Sequence, residues 1–231
     1  MNFEIWEPVY EAVLADFGYD RAADERARDT LYDLLADRET RQPADIDWSG
    51  GTVAIAGGGP SLESELEAAR SADSVLAAST AADRLRDQRV AVDCLVTDLD
   101  KHPGTVVSLT REGVPVVAHA HGDNIPTVRE VVPETDSAAL VPTTQAAPRP
   151  PVRNFGGFTD GDRAAFLADH LGATRLTFPG WDFDDPSVGP AKARKLRWAE
   201  RLLYWLERRR GERFGVLDGR RDAIDTGPLP I

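Results

Sequence analysis

The stretch that most limits what this chain can become is Thr52–Leu62, TVAIAGGGPSL. A short apolar run, Thr52–Ala56, meets Gly57, Gly58, Gly59, Pro60 and Ser61, and a helical pattern opens at Leu62. Strand, glycine turn and helix in that order belong to an open α/β sheet, where ligands bind beyond the carboxyl ends of the strands. Without Cβ atoms the turn allows close backbone approach. Pro60 suits a first helical turn, and Ser61 can cap the helix or bond a phosphate oxygen. Free N–H groups at such a start favour an anion. The spacing is neither G-x-G-x-x-G nor a P-loop, because no Gly-Lys-Ser/Thr follows. A bare tight turn without a ligand explains the motif about as well, so its companions decide.

From Thr52 on, strand and helix patterns alternate. The expected strands are Thr52–Ala56, Ser74–Ala78, Cys94–Thr97, Val114–Ala118, Ala138–Val141 and Thr174–Phe178. The expected helices are Leu62–Ser71, Ala81–Arg86, Thr105–Glu112, Ile125–Val131, Asp162–Leu171 and Ala191–Arg210. This predicts an α/β fold: a mostly parallel sheet with helices on both faces. Before it, Phe3, Trp6, Val9, Tyr10, Val13, Leu14 and Phe17 keep helical spacing up to Gly18, and a second helix runs from about Arg21 to Leu35. Residues 1–45 are thus expected to form an N-terminal helical hairpin, joined by a Pro/Gly linker to an α/β catalytic domain at 46–231. The hairpin's polar faces show no chemical cluster. Gln145–Arg153, with Pro148, Pro150 and Pro151, is expected to be an ordered loop or a cover. The Arg208–Arg210 run reads as a solvated helix end.

Composition removes several functional classes. Cys94 is the only cysteine, which excludes an intramolecular disulfide or a Cys-cluster metal site. No apolar run is long enough to cross a bilayer, and the acidic, amphipathic N-terminus is unlike a signal peptide. A soluble cytoplasmic protein is the expectation. The net charge of −12 argues against nucleic-acid binding. Only Lys101, Lys192 and Lys195 are lysines among 27 basic residues. Abundant Asp and scarce Lys fit a salt-adapted source such as a haloarchaeon, where self-repulsion is screened; a GC-rich genome would also favour Arg.

Three further strand ends and a second glycine turn carry polar groups. Asp98 and Asp100 follow Cys94–Thr97, one residue apart, and an extended segment would aim both at one hard cation. Mg²⁺ takes one or two carboxylates with waters and substrate phosphates; the alternative is two loop-capping carboxylates. His119–Asn124 (HAHGDN) follows the next strand. Two alternating histidines resemble a transition-metal pair, but no third soft ligand is evident for zinc. The functional reading gives Asp123 a metal or substrate contact and His121 a phosphate contact. Asn154–Arg163 (NFGGFTDGDR) repeats the glycine-turn theme through Gly156 and Gly157, with Phe155 and Phe158 able to stack on a flat ring or to serve as core. After the last strand, Asp182 could accept paired hydrogen bonds from a heterocycle, and Trp181 could wall it. Lys192 and Lys195, kept as Lys in an Arg-rich chain, suit phosphates as point charges.

In order and spacing, the Gly57–Leu62, Thr97–Asp100, His119–Asn124, Asn154–Asp162 and Gly180–Phe183 segments resemble the archaeal 6-hydroxymethyl-7,8-dihydropterin pyrophosphokinases. Trp181 departs from that pattern, where a smaller residue or Met is expected. The resemblance implies a fold akin to the thiamine pyrophosphokinase catalytic domain. It also implies Mg²⁺-dependent transfer of the β,γ-diphosphate of ATP to the pterin hydroxymethyl group with release of AMP, in folate- or methanopterin-type cofactor synthesis. Asp98 and Asp100 would then hold Mg²⁺ against the phosphates, and Asp123 would ligate a second Mg²⁺ or orient the hydroxyl. Gly57–Ser61 would cradle phosphate, and Gly156, Gly157 and Lys195 would join the substrate site. His121 or Lys101 would stabilise the leaving or migrating group, and Asp182 or Asn154 would read the pterin edge. Small molecules are the expected partners; a homodimer is allowed but not required. A nucleotide-sugar glycosyltransferase-like enzyme, or a nucleotide- or pterin-binding module without catalysis, are the alternatives.

Overall fold

Small and β-branched residues occupy six short runs, and in the computed structural model, which describes residues 1–231, all six pair in parallel. They are β1 (Thr52–Ala56), β2 (Ser74–Ala78), β3 (Cys94–Thr97), β4 (Val116–Ala120), β5 (Leu140–Thr144) and β6 (Arg175–Thr177), in the order β5-β4-β3-β2-β1-β6. The helices are α1 (Phe3–Phe17), α2 (Arg21–Leu35), α3 (Leu66–Arg70), α4 (Ala81–Asp87), α5 (Pro103–Arg111), α6 (Ile125–Val131), α7 (Asp160–His170) and α8 (Pro190–Arg210). The expected α/β class is therefore observed. No helix is long and apolar enough to cross a membrane.

Alternation along each strand feeds two cores. In β1, Val53 and Ile55 enter the core under α1, α7 and α8, while Ala54 and Ala56 enter the core under α2 to α6. A strand that alternates between two buried faces must be apolar throughout, as these are. The chain steps outward from β1 to β5, then returns through α7 to place β6 on the other side of β1. The strand order thus reverses between β1 and β6, where an open α/β sheet parts to admit ligands.

The N-terminal helices serve different faces. Trp6, Val9, Tyr10, Val13 and Leu14 of α1 join one core; Ala27, Leu31 and Leu35 of α2 join the other. Gly18 ends α1 with a left-handed φ of 71°, and Asp20 caps α2 by accepting from the Ala22 N–H at 3.0 Å. The short turn between them crosses from one face of the sheet to the other.

Several boundaries move from their expected positions. β4 begins at Val116 rather than Val114, because Pro115 has no N–H to give a ladder in a central strand. β5 extends to Thr143 and Thr144, whose hydroxyls are satisfied: Thr143 Oγ1 lies 3.0 Å from His119 Nδ1, and Thr144 Oγ1 accepts from the Ala146 N–H. The helix expected from Leu62 splits into a 3-10 turn, Leu62–Ser64, and α3. The Pro-rich 145–153 segment is ordered along the open edge of β5, with Arg153 N–H bonded to Pro142 O and Thr144 N–H to Arg153 O, both at 2.9 Å. It shields a strand edge that would otherwise carry unpaired backbone groups.

Candidate active site

A cavity of about 640 Å³ lies at the carboxyl edge of the sheet, within the size range of small-molecule sites. The ends of β1, β2, β3, β4, β5 and β6 all contribute to it, as do the first turns of α7 and α8 and the turn between α1 and α2. Of the residues expected at a site, Gly57, Gly58, Gly59, Asp98, Asp100, His121, Asp123, Asp182 and Lys195 line this one cavity. Pro60, Ser61, Asn154, Gly156 and Gly157 do not. One residue in seven, 33 of 231, forms the wall, yet every lysine of the chain does: Lys101, Lys192 and Lys195. Lys192, Lys195, Leu196 and Ala199 sit on one stripe of α8, as residues three and four apart must.

The first glycine turn differs from the expected open cradle. Gly57 N–H donates to Pro179 O at 2.9 Å, Gly59 N–H to Gly180 O at 2.8 Å and Ser61 N–H to Asp182 Oδ2 at 2.9 Å. Its anion is the protein's own carboxylate. The glycines are required by this contact: a Cβ on Gly57 would lie 2.5 Å from Gly180 O, and one on Gly59 would collide with the Asp182 carboxylate. The loop after β6 is thereby laced to the loop after β1 at the point where the strand order reverses. Gly58 alone of the three keeps its face toward β2, near Thr80. Ser61 makes no side-chain cap.

Asp98 and Asp100 come together by a route other than the extended one expected. Leu99 is buried with a left-handed φ of 68°, and its N–H donates to Thr97 Oγ1 at 3.0 Å. This conformation is disfavoured for a bulky side chain, and it folds the two carboxylates toward each other. Burial pushes the Asp98 carboxyl up, but His121, Asp100 and Arg163 outweigh it and hold Asp98 well below the usual carboxylate range. Asp100 is pushed up by burial and by its hydrogen bond and charge contact with Asp98. The pair thus shares its negative charge unequally. His121 Nε2 lies 3.6 Å from Asp98 Oδ2.

Asn124 ties these two strand ends together. Its amide donates to Asp98 O and to His119 O, each at 2.7 Å, and its carbonyl accepts from the His121 N–H at 2.9 Å. His119 and His121 do not form a metal pair. The two-residue shift of β4 puts His119 inside the strand, buried against Thr143, and burial with the nearby Arg163 charge keeps its imidazole far below its ordinary pKa. No group of three or more His, Cys, Asp or Glu side chains converges as a metal cage.

The second glycine stretch supplies the wall through its far end. Asn154 is buried behind the cavity, donating to Gln145 O and Ala146 O and accepting from the Gly156 N–H. Gly157, with φ of 94°, lets the backbone pass against Arg163. Phe158 lines the cavity, with Lys195 Nζ 5.9 Å from its ring centre, whereas Phe155 packs on His170. Thr159 and Asp162 form a reciprocal cap, so Asp160 and Arg163 fall on the cavity side of the first turn of α7. Arg163 Nη1 donates to Asp160 at 3.0 Å. Burial, reinforced by the Asp98 charge, pushes the Asp160 carboxyl up to about 7. Trp181 is held by its Nε1–H to Ile55 O at 2.8 Å and presents its side to the cavity beside Phe183.

Sequence reasoning gave no site role to Asp24, Gln145, Asp160 or Arg163, all on the wall, although the last two lie in the Asn154–Arg163 stretch it singled out. Asp24 had a legible signal. It falls on the same stripe of α2 as Ala27, Leu31 and Leu35, and a carboxylate on an apolar stripe demands a partner.

The sequence profile described as 6-hydroxymethylpterin diphosphokinase MptE-like matches residues 32–187. A protein of Methanothermobacter thermautotrophicus is 39% identical over 225 residues, covering 90% of this chain and 96% of its own length. One from Pyrococcus furiosus is 35% identical over 225 residues, with 90% and 95% covered. One from Methanocaldococcus jannaschii is 30% identical over 233 residues, with 90% and 96% covered. Each of the three is a 6-hydroxymethyl-7,8-dihydropterin pyrophosphokinase. With the profile spanning most of the sheet and relatives aligned along nearly their whole length, the chain belongs to the 6-hydroxymethylpterin diphosphokinase MptE-like family.

Proposed function

We propose that this protein transfers the β,γ-diphosphate of ATP to the hydroxymethyl oxygen of 6-hydroxymethyl-7,8-dihydropterin and releases AMP, as a step in making a reduced-pterin one-carbon carrier. The observation that carries the reading is one cavity in which the Asp98–Asp100 pair shares the wall with every lysine the chain possesses. The activity of the three relatives is the same chemistry.

Phosphoryl transfer asks a protein mainly to position its reactants and to neutralise charge. The hydroxymethyl oxygen attacks the β-phosphorus and forms the new O–P bond. The bond from the β-phosphorus to the oxygen bridging it to the α-phosphorus breaks, and AMP leaves with that oxygen. Lys101, Lys192 and Lys195 bind the phosphates as point charges. His121, beside Asp98, contacts the migrating group. Asp123 orients the hydroxyl, and Asp160 takes its proton, its carboxyl near 7 being matched to neutral operation. Phe158 and Trp181 offer flat apolar walls to the pterin ring. Asp182 spends Oδ2 on the Ser61 N–H and keeps Oδ1 for the ring's amino edge.

The Asp98–Asp100 pair fits Mg²⁺, which takes one or two carboxylates and completes its shell with water and substrate phosphates; a site of two converging carboxylates without a third protein ligand matches that demand. Bound there, the ion would supply charge neutralisation to the phosphates. Asp123, on the same wall, is left to the substrate hydroxyl or to a second ion.

The test is AMP release from ATP with the reduced hydroxymethylpterin, with and without Mg²⁺, in concentrated salt. Metal-dependent AMP matched by pterin diphosphate is the expected result. Folded protein that makes no AMP sinks the reading: saturable pterin or nucleotide binding would then point to a binding module, and turnover of a nucleotide sugar to a transferase.

A further inference from the structure

A buried line of hydrogen bonds joins the N-terminal hairpin to the cavity wall. Asp24, on α2, is 3% exposed. Its Oδ2 accepts from Tyr10 Oη at 2.7 Å and from Gln145 Nε2 at 2.8 Å, and its Oδ1 accepts from the Gly122 N–H at 2.7 Å. Gln145 Oε1 then accepts from Arg163 Nη2 at 3.1 Å, and Arg163 Nη1 donates to Asp160 at 3.0 Å. Asp24, Gln145, Arg163 and Asp160 all line the cavity.

The direction of this line cannot be reversed. A carboxylate only accepts, and a guanidinium only donates. Between them, Gln145 must turn its NH₂ toward Asp24 and its carbonyl toward Arg163. With the amide flipped, donors would face the guanidinium and an acceptor would face the carboxylate. Arg163 Nε is buried without a partner, so the bonds at Nη1 and Nη2 are what hold this cation in place. The Gly122 bond matters as well, because Gly122 sits between His121 and Asp123 and packs directly on Ala23 of α2.

We propose that Asp24 is a positioning residue of the active site: it fixes the polarity of Gln145, which holds the Arg163 cation on the cavity wall, and it clamps the loop carrying His121 and Asp123. Anchoring of the hairpin alone does not call for this line. Both helices are already seated by apolar contacts, α1 through Trp6, Val9 and Val13 and α2 through Ala27, Leu31 and Leu35. A buried carboxylate is costly unless fully bonded, and here its three donors come from α1, from the end of β5 and from the end of β4. The N-terminal hairpin therefore contributes to the reaction through these bonds. The inference rests on the diphosphate transfer proposed above.

The test uses the swap of polarity. In Asp24→Asn the new NH₂ opposes the Gln145 NH₂, or its oxygen leaves the Gly122 N–H. In Asp24→Asn with Gln145→Glu, the amide introduced on α2 can accept from Gly122 and donate to the carboxylate introduced after β5, which still accepts from Arg163. The single variant is expected to lose kcat by about tenfold or more, the scale on which misplaced groups act, with a smaller change in KM for the pterin. The double variant is expected to recover most of it. Gln145→Met, which leaves the Asp24 bonds to Tyr10 and Gly122 in place, should show a similar kcat loss with a smaller fall in Tm than Asp24→Asn, and serves if Asp24→Asn does not fold. Unchanged kcat in Gln145→Met, or a double variant that regains Tm but not kcat, overturns the proposal. Calorimetric affinity for a non-hydrolysable ATP analogue is measured on the same proteins. Wild-type protein that binds the analogue but makes no AMP refutes the reaction, and the affinity series then reads the line by itself: parallel losses in Asp24→Asn and Gln145→Met support it, and equal affinities sink it.

Discussion

Asp182 Oδ2 accepts from the Ser61 N–H at 2.9 Å, so two loops 121 residues apart in sequence share one turn. That bond, with those from Gly57 and Gly59 to Pro179 and Gly180, closes the gap between β1 and β6. The helix-start geometry that suits a phosphate is occupied by a carboxylate of the chain, in accord with the same preference for an anion. Gly57, Gly58 and Gly59 still line the cavity, but the N–H groups of Gly57, Gly59 and Ser61 are taken by the chain itself, and cations reach the wall from Lys101, Lys192, Lys195 and Arg163.

The three glycines should therefore differ in tolerance. Gly57→Ala sets a methyl 2.5 Å from a backbone carbonyl that cannot swing away. Overpacking of that kind costs about 1–3 kcal/mol, and here it would also part the two loops. Gly58→Ala meets only the Thr80 hydroxyl, at 3.1 Å, which can rotate. Urea unfolding of the two variants is expected to show a lowered midpoint for Gly57→Ala and a near wild-type one for Gly58→Ala. Equal midpoints would mean that the loops are not laced in this way.

Asp160 gives a pH signature in two readouts. Its carboxyl is raised to about 7 by burial and the Asp98 charge. A raised carboxyl binds its proton more tightly folded than unfolded. The stability this provides is fully present below the ordinary carboxylate range near 4 and is lost as pH rises through about 7. Asp160→Asn has no proton to lose and keeps an acceptor for Arg163. Its Tm relative to wild type should rise between pH 5 and pH 8. If Asp160 takes the hydroxyl proton, wild-type kcat climbs with pH up to about 7, and the variant is slow and flat across that range. A variant with the wild-type profile would assign the proton to another group.

How much of this was legible in the sequence follows from what each signal measures. The α/β class and the strand-end positions of Asp98, Asp100, His121 and Asp123 are local patterns, and they appear in place. The lysine signal was compositional and survived folding, since all three reach one cavity. Pairings between distant segments were not legible. Nothing local to Gly57–Ser61 says that its N–H groups will be taken by Pro179, Gly180 and Asp182. Likewise, a two-residue slip in β4, caused by Pro115, changes His119 from a strand-end group to a buried one. The hairpin's Asp24 carried a local signal in its place on an apolar stripe, but two of its three partners, Gly122 and Gln145, lie 98 and 121 residues away.

Lys192 and Lys195 test whether α8 binds phosphate. Each is expected, as Ala, to raise KM for ATP by roughly tenfold, about 1.4 kcal/mol, if a charge-assisted contact is lost, with little effect on pterin affinity. Lys→Arg at either site keeps the charge but changes its shape, and should recover part of the affinity. A uniform fall in both substrates' affinities would instead signal displacement of α8.

Asp98 is the residue whose loss should be most severe. Three groups, His121, Asp100 and Arg163, hold it ionised against its own burial, an arrangement that keeps a charge where one is needed. Asp98→Asn preserves size and the backbone bond from Asn124 to the residue-98 carbonyl. It removes the charge and with it the Asp98 contribution to the raised Asp100, leaving burial, the largest of its causes. Turnover is expected to fall by about a hundredfold or more, near 2.7 kcal/mol of barrier, and half-saturating Mg²⁺ to rise. Asp100→Asn should be milder in both, because its carboxyl is the more readily protonated of the two. The depressed Asp98 also contributes stability that is present above the ordinary carboxylate range and lost as pH falls below it. Acid unfolding of Asp98→Asn should therefore begin from a lower plateau and show a shallower fall. Full Mg²⁺-dependent turnover in Asp98→Asn would remove the carboxylate pair from the reaction and leave its charge neutralisation to the cationic side chains of the wall.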